Sequence, residues 1–318
     1  MKILTRHQIG QILPTLDLIP EIEKGFQAYS EGKAIVPPIG EMILDKGEVH
    51  IKYGYLKNGE NYVIKIASGF YEKPGSGQML SNGMMLLFSQ QSGQPLCALL
   101  DEGHLTHIRT AIAGAIVAKY LAPAKVHKIG IVGAGTQARL QLSYLKKVVN
   151  CKEVLVWGIN KEEGQSYKTL MEREGFVVKV TDDVEKIPDQ CNLIVTTTPS
   201  NRPLLDVKHL KKGTHITAVG SDTPEKQELD PGILKSADLL VADSIEQCME
   251  RGEIFKALAT GFIEKSRLIE LGQIIAGKVE GRKSEKQVTV ADLTGVAVQD
   301  MAIASAVYKA SLSIYPDS

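Results

Sequence analysis

The chain lacks most of the features that would commit it to a special environment. Its four cysteines (Cys97, Cys151, Cys191 and Cys248) are scattered through 318 residues, with no Cys-x-x-Cys pair and no finger-like histidine spacing. That argues against structural zinc and a disulfide scaffold, and cysteines in or beside apolar runs read as inert core residues. No apolar run approaches the roughly 20 residues of a membrane-spanning helix. The opening MKILTRHQIGQIL is too polar for a signal peptide. Net charge is missing as well: 37 Lys and Arg balance 37 Asp and Glu, and the pI is near 7.1. With only 5 % aromatic residues, there is neither a basic patch nor an aromatic platform for nucleic acid, and nothing to draw the chain to an anionic membrane. Internal repeats and low-complexity tracts are absent. What is present, 43 % hydrophobic residues, suffices for a sizeable core. At about 150 residues per domain, the length predicts about two domains. The expectation is a cytoplasmic globular protein.

From Lys128 onward, short β-branched runs alternate with longer helical patterns. Strands are expected at Lys128–Val132, Val154–Trp157, Val177–Val180, Leu193–Thr197, His215–Val219 and Leu239–Ala242. Between them lie stretches such as QARLQLSYLKKVV and EEGQSYKTLMEREG. This rhythm predicts an α/β fold with a doubly wound parallel sheet of Rossmann type. The first third differs. TLDLIPEIEKGFQAYSEGK predicts an amphipathic helix, and after Pro37-Pro38 come the strand-like pieces GEMIL, EVHIKYGYL and NYVIKIASGFY. GMMLLF and PLCALLD then flank a hairpin connection at Ser92-Gly93. These features predict a separate α+β domain over residues 1–122, ending in a helix from His104 that stops before Pro123. The Rossmann domain is placed at 123–295. The final stretch reads as a strand in VTVAD, a Gly turn and a long Ala/Ser-rich helix, so 296–318 is expected to return to the first domain.

The segment HKIGIVGAGTQARLQL sets Gly133-x-Gly135-x-x-Ala138 directly after one predicted strand and at the opening of a helix, the context that gives this pattern its meaning. Gly133 permits the tight turn and Gly135 lets the backbone approach a pyrophosphate. Ala138 allows close helix–strand packing, and the helix end, with Thr136 and Gln137 in its first turn, offers N–H groups to phosphates. A dinucleotide site is expected here. The second strand runs into VLVWGINKEE, with Gly158 where NAD-binding sequences carry an acid for the ribose hydroxyls. Asn160 and Lys161 would not repel a 2′-phosphate, and Arg139 could reach one. The cofactor is therefore NADP(H) or NAD(H), with a lean to NADP(H), although both cations could equally be solvated surface charges.

Taken together, Arg109-Thr110-Ala111 in HLTHIRTAIAGAIVAKYLAP, the loop GIVGAGTQAR, VTTTPS, AVGSDTPEKQEL and DLTGVAVQD resemble the ornithine cyclodeaminase/mu-crystallin family, in the same order over essentially the whole chain. GEVHIKYGYL, VIKIASGFYEKP and LLDEGHLTHIRTA look most like the branch with ectoine-utilisation and imino-acid-reductase-like members. The resemblance implies a Rossmann domain plus a substrate-binding domain that also forms a homodimer. It further implies a small α-amino acid, or its cyclic or acyclic imine, as substrate and a nicotinamide as cofactor.

Several residues carry that expectation. A guanidinium at Arg109 matches a carboxylate in bidentate fashion, and Lys65 lies inside the apolar strand VIKIAS, where an unpaired ammonium is costly to bury. In the family, their equivalents hold the substrate carboxylate; the alternatives are a structural salt bridge for Arg109 and a solvated edge-strand face for Lys65. Asp222, in AVGSDTPEKQEL, follows the fifth strand at the sheet edge where ligands sit. The resemblance makes it the catalytic carboxylate, with Lys65 beside it in the catalytic set, while Ser-Asp-Thr-Pro is also good turn chemistry. Thr197 and Thr198 end the fourth strand, Val219 ends the fifth, and Thr294 falls with Asp292 and Gly295 where the family places the nicotinamide. The sequence departs from the family after the first Pro pair, where a basic residue is frequent. Here the polar groups are Glu41, His50 and Lys52. Lys52 could replace a carboxylate contact, and Glu41 could meet a distal amine or simply face solvent. His104 and His107, spaced i, i+3, read as surface histidines at a helix start rather than metal ligands.

The expected reaction is hydride transfer at the Cα of a small amino or imino acid, as an imino-acid (ketimine) reductase or amino-acid dehydrogenase. Ornithine cyclodeaminase, redox-neutral and releasing ammonia, would use the same residues. A different class is an NADP-dependent, crystallin-like ligand-binding protein, against which Asp222 argues.

Overall fold

The structure is a computed structural model that describes residues 1–71 and 79–316. Glu72, Lys73 and Pro74 of the stretch VIKIASGFYEKP lie outside the described residues. The chain divides into two compact units, one formed by Met1–Arg109 with Val296–Ser318 and the other by Thr110–Gly295. Sequence placed the first boundary near residue 122; the division instead falls within the helix His104–Leu121. Pro123 stops that helix, but its second half already packs in the second unit. Gln141 Nε2 donates to the Thr110 carbonyl at 3.1 Å, and Arg282 Nε to the Leu121 carbonyl at 2.6 Å.

The first unit is built on a seven-stranded sheet ordered Lys2–Thr5, Pro95–Leu100, Met79–Ser89, Asn61–Tyr71, Gly47–Leu56 and Ala34–Ile35, with Gly40–Leu44 also paired to Gly47–Leu56. All pairings are antiparallel except that of Lys2–Thr5 with Pro95–Leu100. Gly93, at φ +70°, makes the turn of the expected hairpin. Strand alternation sorts the side chains onto two faces. Val63, Lys65, Met85, Leu87, Cys97 and Leu99 point to the buried face, which the C-terminal helix Ala297–Ile314 covers. The expected amphipathic helix is Ile19–Ser30, which has Pro20 in its first turn and buries Ile22 and Phe26. A Cβ on Gly25 would stand 3.1 Å from the Val298 carbonyl, so this glycine lets the two helices approach.

In the second unit, eight parallel strands run in the order Val177–Thr181, Glu153–Trp157, Ile129–Val132, Leu193–Thr196, His215–Ala218, Thr289–Asp292, Leu239–Ala242 and Leu268–Glu270. The six strands expected from the β-branched runs are all present, and the fold is the doubly wound α/β type. The VTVAD strand, assigned from sequence only to the C-terminal stretch, sits inside this sheet between the fifth and sixth. No local pattern could place it there, because its position is set by pairing with segments some 50 to 75 residues away in sequence. The order reverses beside Ile129–Val132, and the C-terminal strand ends there form the crevice in which such sheets bind ligands.

At the opposite edge, Arg282 ties the chain together. Its guanidinium donates to the carbonyls of Leu121, Ser284, Gln287 and Thr214 and to Thr289 Oγ1. A compact ammonium cannot reproduce that spread of donors. Arg282→Lys should therefore lower stability nearly as much as Arg282→Ala, by about 2–4 kcal/mol, since both leave partly buried acceptors unmet. Thermal unfolding of the two variants checks this, and full recovery by lysine would contradict it.

Candidate functional site

The Gly133–Ala138 turn has the geometry a dinucleotide needs. Gly133 stands at φ +107°, and a Cβ there would lie 2.6 Å from Thr197 Oγ1, so only glycine fits. Gly135 is exposed, and a Cβ on it would meet nothing within 4 Å, which is the open approach a phosphate uses. The helix Thr136–Leu145 begins immediately after, and no described side chain caps it, so its dipole and first-turn amides face that space. Ala138 is fully buried and receives the Tyr167 hydroxyl on its carbonyl at 3.3 Å. Gln137 Oε1 receives Gln141 Nε2 at 3.4 Å. The residues present fit a dinucleotide.

At the end of the second strand, Gly158 is buried; Asn160 and Lys161 beyond it are exposed. Asn160 has a structural task that sequence did not foresee: its Oδ1 accepts from Glu163 N at 2.9 Å and caps the helix Lys161–Arg173. Arg139, half-buried, donates to Thr136 Oγ1 at 3.2 Å, on the same turn as the phosphate approach.

The other strand ends are held by buried carboxylates. Glu228 accepts from Thr196 Oγ1 at 2.7 Å, Thr198 N at 2.6 Å, Thr198 Oγ1 at 2.7 Å and Gly220 N at 3.0 Å. Burial outweighs these donors and pushes its carboxyl up to about 7. Thr197 stays on its strand end through Val132, whose carbonyl receives Thr197 N at 2.9 Å, and Val219 N reaches the Thr196 carbonyl at 3.0 Å. Asp243 receives Thr294 Oγ1 at 3.1 Å and Gly295 N at 2.7 Å. Asp292 turns inward, accepting from Ile254 N at 2.8 Å, and serves as an internal anchor. Burial pushes its carboxyl well up, and Glu253 adds to the effect. Asp222 lies exposed on the loop after His215–Ala218, with Lys226 Nζ at 2.6 Å.

In the first unit a buried ionic group stands on three elements. Asp300, in the first turn of Ala297–Ile314, lies 2.8 Å from Lys65 Nζ and 2.9 Å from Arg109 Nε. Arg109 Nη1 also donates to Gln299 Oε1 at 3.1 Å. Lys52 faces Lys65 directly across the sheet. Burial, then the charge of Arg109, pushes the Lys65 ammonium down to about 7 against the pull of Asp300, and Lys52 adds to the lowering. The Asp300 carboxyl is buried, which favours its neutral form, yet Arg109 and Lys65 outweigh that and hold it below the usual carboxylate range. Asp101 accepts from Leu105 N at 2.7 Å in the first turn of His104–Leu121. Burial pushes its carboxyl up to about 6, although Lys65 pulls the other way. Lys65, Arg109 and Lys52 thus stand with Asp300 and Asp101 in one ionic group.

Sequence singled out Lys65, Arg109 and Lys52, and the structure brings them together. It missed Asp300, whose signal was an acid in the apolar helix VAVQDMAIASAV, and it missed Glu228, Asp243 and Asp101. Glu41 pairs with His50 at 3.2 Å on the exposed edge strand. His104 is pushed down to about 4 by burial, and His107 is lowered for the same reason. Among the described residues, no group of three or more His, Cys, Asp or Glu could hold a metal ion, and no helix is long and apolar enough to cross a membrane.

Comparison with known proteins agrees with this geometry. The sequence profile of the ornithine cyclodeaminase/mu-crystallin family matches residues 1–314. An uncharacterised cyclodeaminase of Sinorhizobium fredii is 39 % identical over 97 % of this chain and 95 % of its own. An archaeal alanine dehydrogenase, solved as a dimer with bound NAD, is 33 % identical with a TM-score of 0.90, covering 99 % of this chain and 97 % of that one. The Δ1-pyrroline-2-carboxylate reductase of Thermococcus litoralis, solved with NADH and L-proline, is 27 % identical with a TM-score of 0.92, covering 99 % of this chain and 98 % of that one.

Lys65 gives the ionic group a pH signature. Its proton is held only below about 7, so if this group takes an anion, affinity for a small carboxylate such as pyruvate should be flat below that pH and weaken above it, towards tenfold per pH unit. Lys65→Arg keeps its charge and should flatten the profile. Calorimetric titration from pH 5.5 to 9 measures this, and a wild-type affinity constant across that range would contradict it.

Proposed function

The chain belongs to the ornithine cyclodeaminase/mu-crystallin family. From that premise we propose that it is a nicotinamide-dependent imino-acid reductase, or in reverse an amino-acid dehydrogenase, acting at the Cα of a small α-amino or α-imino acid. The observation that carries this reading is the buried group in which Lys65 and Arg109 share Asp300, with Lys52 directly across the sheet from Lys65. Lys65 and Arg109 would fix the substrate carboxylate, and pinning it orients the Cα. Lys52 adds to the field, and on the same sheet face Glu41 would meet the ammonium of a longer side chain. A nicotinamide supplies or accepts the hydride when bound. Asp222 would give a proton to the substrate nitrogen as the imine is reduced and take one as the amine is oxidised.

We infer NADPH rather than NADH, because Gly158 stands where an acid would exclude the 2′-phosphate and because Arg139, bonded to Thr136 Oγ1 on the phosphate turn, could meet that phosphate. A cytoplasmic location accords with four free, buried cysteines. The archaeal relative with bound NAD is a dimer, and the first unit has a face to match. Met42, Tyr53, Tyr55, Met84 and Leu100 are all more than a third exposed on one side of its sheet. We assign that face to a second copy of this chain.

The test is oxidation of NADPH and NADH with pyrroline- and piperideine-2-carboxylate, alongside ammonia release from ornithine. The expected result is imine-dependent oxidation, faster with NADPH, without ammonia, and a fall in kcat of about 10²- to 10⁴-fold in Asp222→Asn. Ammonia from ornithine with catalytic cofactor would replace the reductase by a cyclodeaminase, the reading favoured by the Sinorhizobium relative's name. A wild-type rate in Asp222→Asn would remove its proton-transfer role. For the dimer, Met84→Glu should yield a folded monomer in sedimentation experiments, because a charge on an exposed position costs the fold little but is costly inside an apolar interface. A dimer unchanged in that variant would rule this face out.

A further inference from the structure

Two loops at the C-terminal edge of the parallel sheet pass each other at close backbone approach. One is the Thr196–Pro199 turn, the other Gly220–Asp222. A Cβ on Gly220 would lie 2.2 Å from the Thr198 carbonyl oxygen, 2.5 Å from Thr198 N and 2.6 Å from Glu228 Oε2. Glu228, which is fully buried on the short strand Gln227–Leu229, bonds to both loops. Oε2 accepts from Thr196 Oγ1 and Gly220 N, and Oε1 from Thr198 N and Thr198 Oγ1. The strand is itself fixed. It pairs with Asn201–Leu205, and the Glu253 carboxylate accepts from Glu228 N at 2.6 Å and Leu229 N at 3.1 Å.

We propose that Glu228 is the positioning residue of the cofactor unit: its carboxylate sets the separation of these two loops, and with it the placement of Thr197, Thr198 and Asp222 against the cofactor and the reacting nitrogen. The inference rests on the reductase reading for what Asp222 does, but not for the loop geometry. Each Glu228 oxygen takes one hydroxyl and one backbone N–H. A hydroxyl can rotate to accept from a new donor; a backbone N–H cannot. In Glu228→Gln the amide nitrogen therefore confronts the N–H of either Thr198 or Gly220, whichever way the side chain lies, and one loop must move. Gly220→Ala crowds the same contact, its Cβ pressing on the Thr198 backbone and on Glu228 Oε2, and so forces the same two loops apart while the carboxylate itself is kept.

The experiment is a double-mutant cycle with Glu228→Gln, Gly220→Ala and the pair, read by NADH dissociation constant from nicotinamide fluorescence, by kcat and KM for the imine, and by thermal midpoint. If both changes act through one separation, each single variant should weaken NADH about tenfold. Each should also lower kcat about 10- to 100-fold with KM for the imine within about threefold, because small misplacements cost rate steeply. The double variant should be no worse than the poorer single one. Single variants that melt earlier but keep wild-type kcat and NADH affinity would make Glu228 merely structural and overturn the proposal. So would a double variant whose losses are the product of the singles. If the wild type reduces no imine, the reductase reading fails, and the NADH cycle still decides the role of Glu228.

Discussion

The first unit depends on one buried carboxylate. Asp300 is 1 % exposed and faces two cations, Lys65 and Arg109, that are almost as deeply buried. Removing charges from water is costly, and mutual attraction repays the cost only where geometry is close and further hydrogen bonds are met. Here the partners come from a central strand, from the helix His104–Leu121 and from the C-terminal helix, so the ion group fixes all three elements at once. Withdrawing Asp300 would leave two cations side by side in a dry site, where breaking such a pair costs about 3–5 kcal/mol. The same burial pushes the Lys65 ammonium down to about 7. Under the proposed reading, stability and recognition are coupled in a single cluster.

The second unit meets a related problem with buried carboxylates on the sheet edge where such folds bind ligands. Glu228, Asp243, Glu253 and Asp292 are each about 1 % exposed or less, and each accepts backbone N–H groups from the segments that follow the strands. A glycine-rich turn gives phosphates access but little rigidity of its own. Buried acceptors supply that rigidity from behind, so the loops can be both close-packed and open towards the ligand side. Burial is the first cause of the raised carboxyls of Glu228 and Glu253, pushed up to about 7 and about 8, which marks how little water reaches this support.

Much of this was legible in the sequence, and what was not follows a pattern. The six β-branched runs and Gly133-x-Gly135-x-x-Ala138 are local signals, because strand composition and a tight turn are decided by neighbouring residues. Lys65 was visible as a charge in an apolar strand. Asp300, its partner, lies 235 positions away, and only folding shows that the two meet. Glu228 lies within AVGSDTPEKQEL but carries no local signal, because an acid beside a turn is ordinary surface composition. The division within His104–Leu121 was hidden for a related reason: a continuous helix has no break in its pattern where its packing partners change. Asn160 was legible as a residue but not in its task, since capping competes with ligand binding for the same side chain.

The most direct measurement is the fate of the hydride. Piperideine-2-carboxylate would be incubated with the enzyme and NADPH deuterated at C4 of the nicotinamide, and the product examined by NMR and mass spectrometry. The account predicts pipecolate carrying one deuterium at Cα, formed in step with cofactor oxidation. Cofactor left unoxidised across small imino acids, or deuterium located anywhere but Cα, would contradict it.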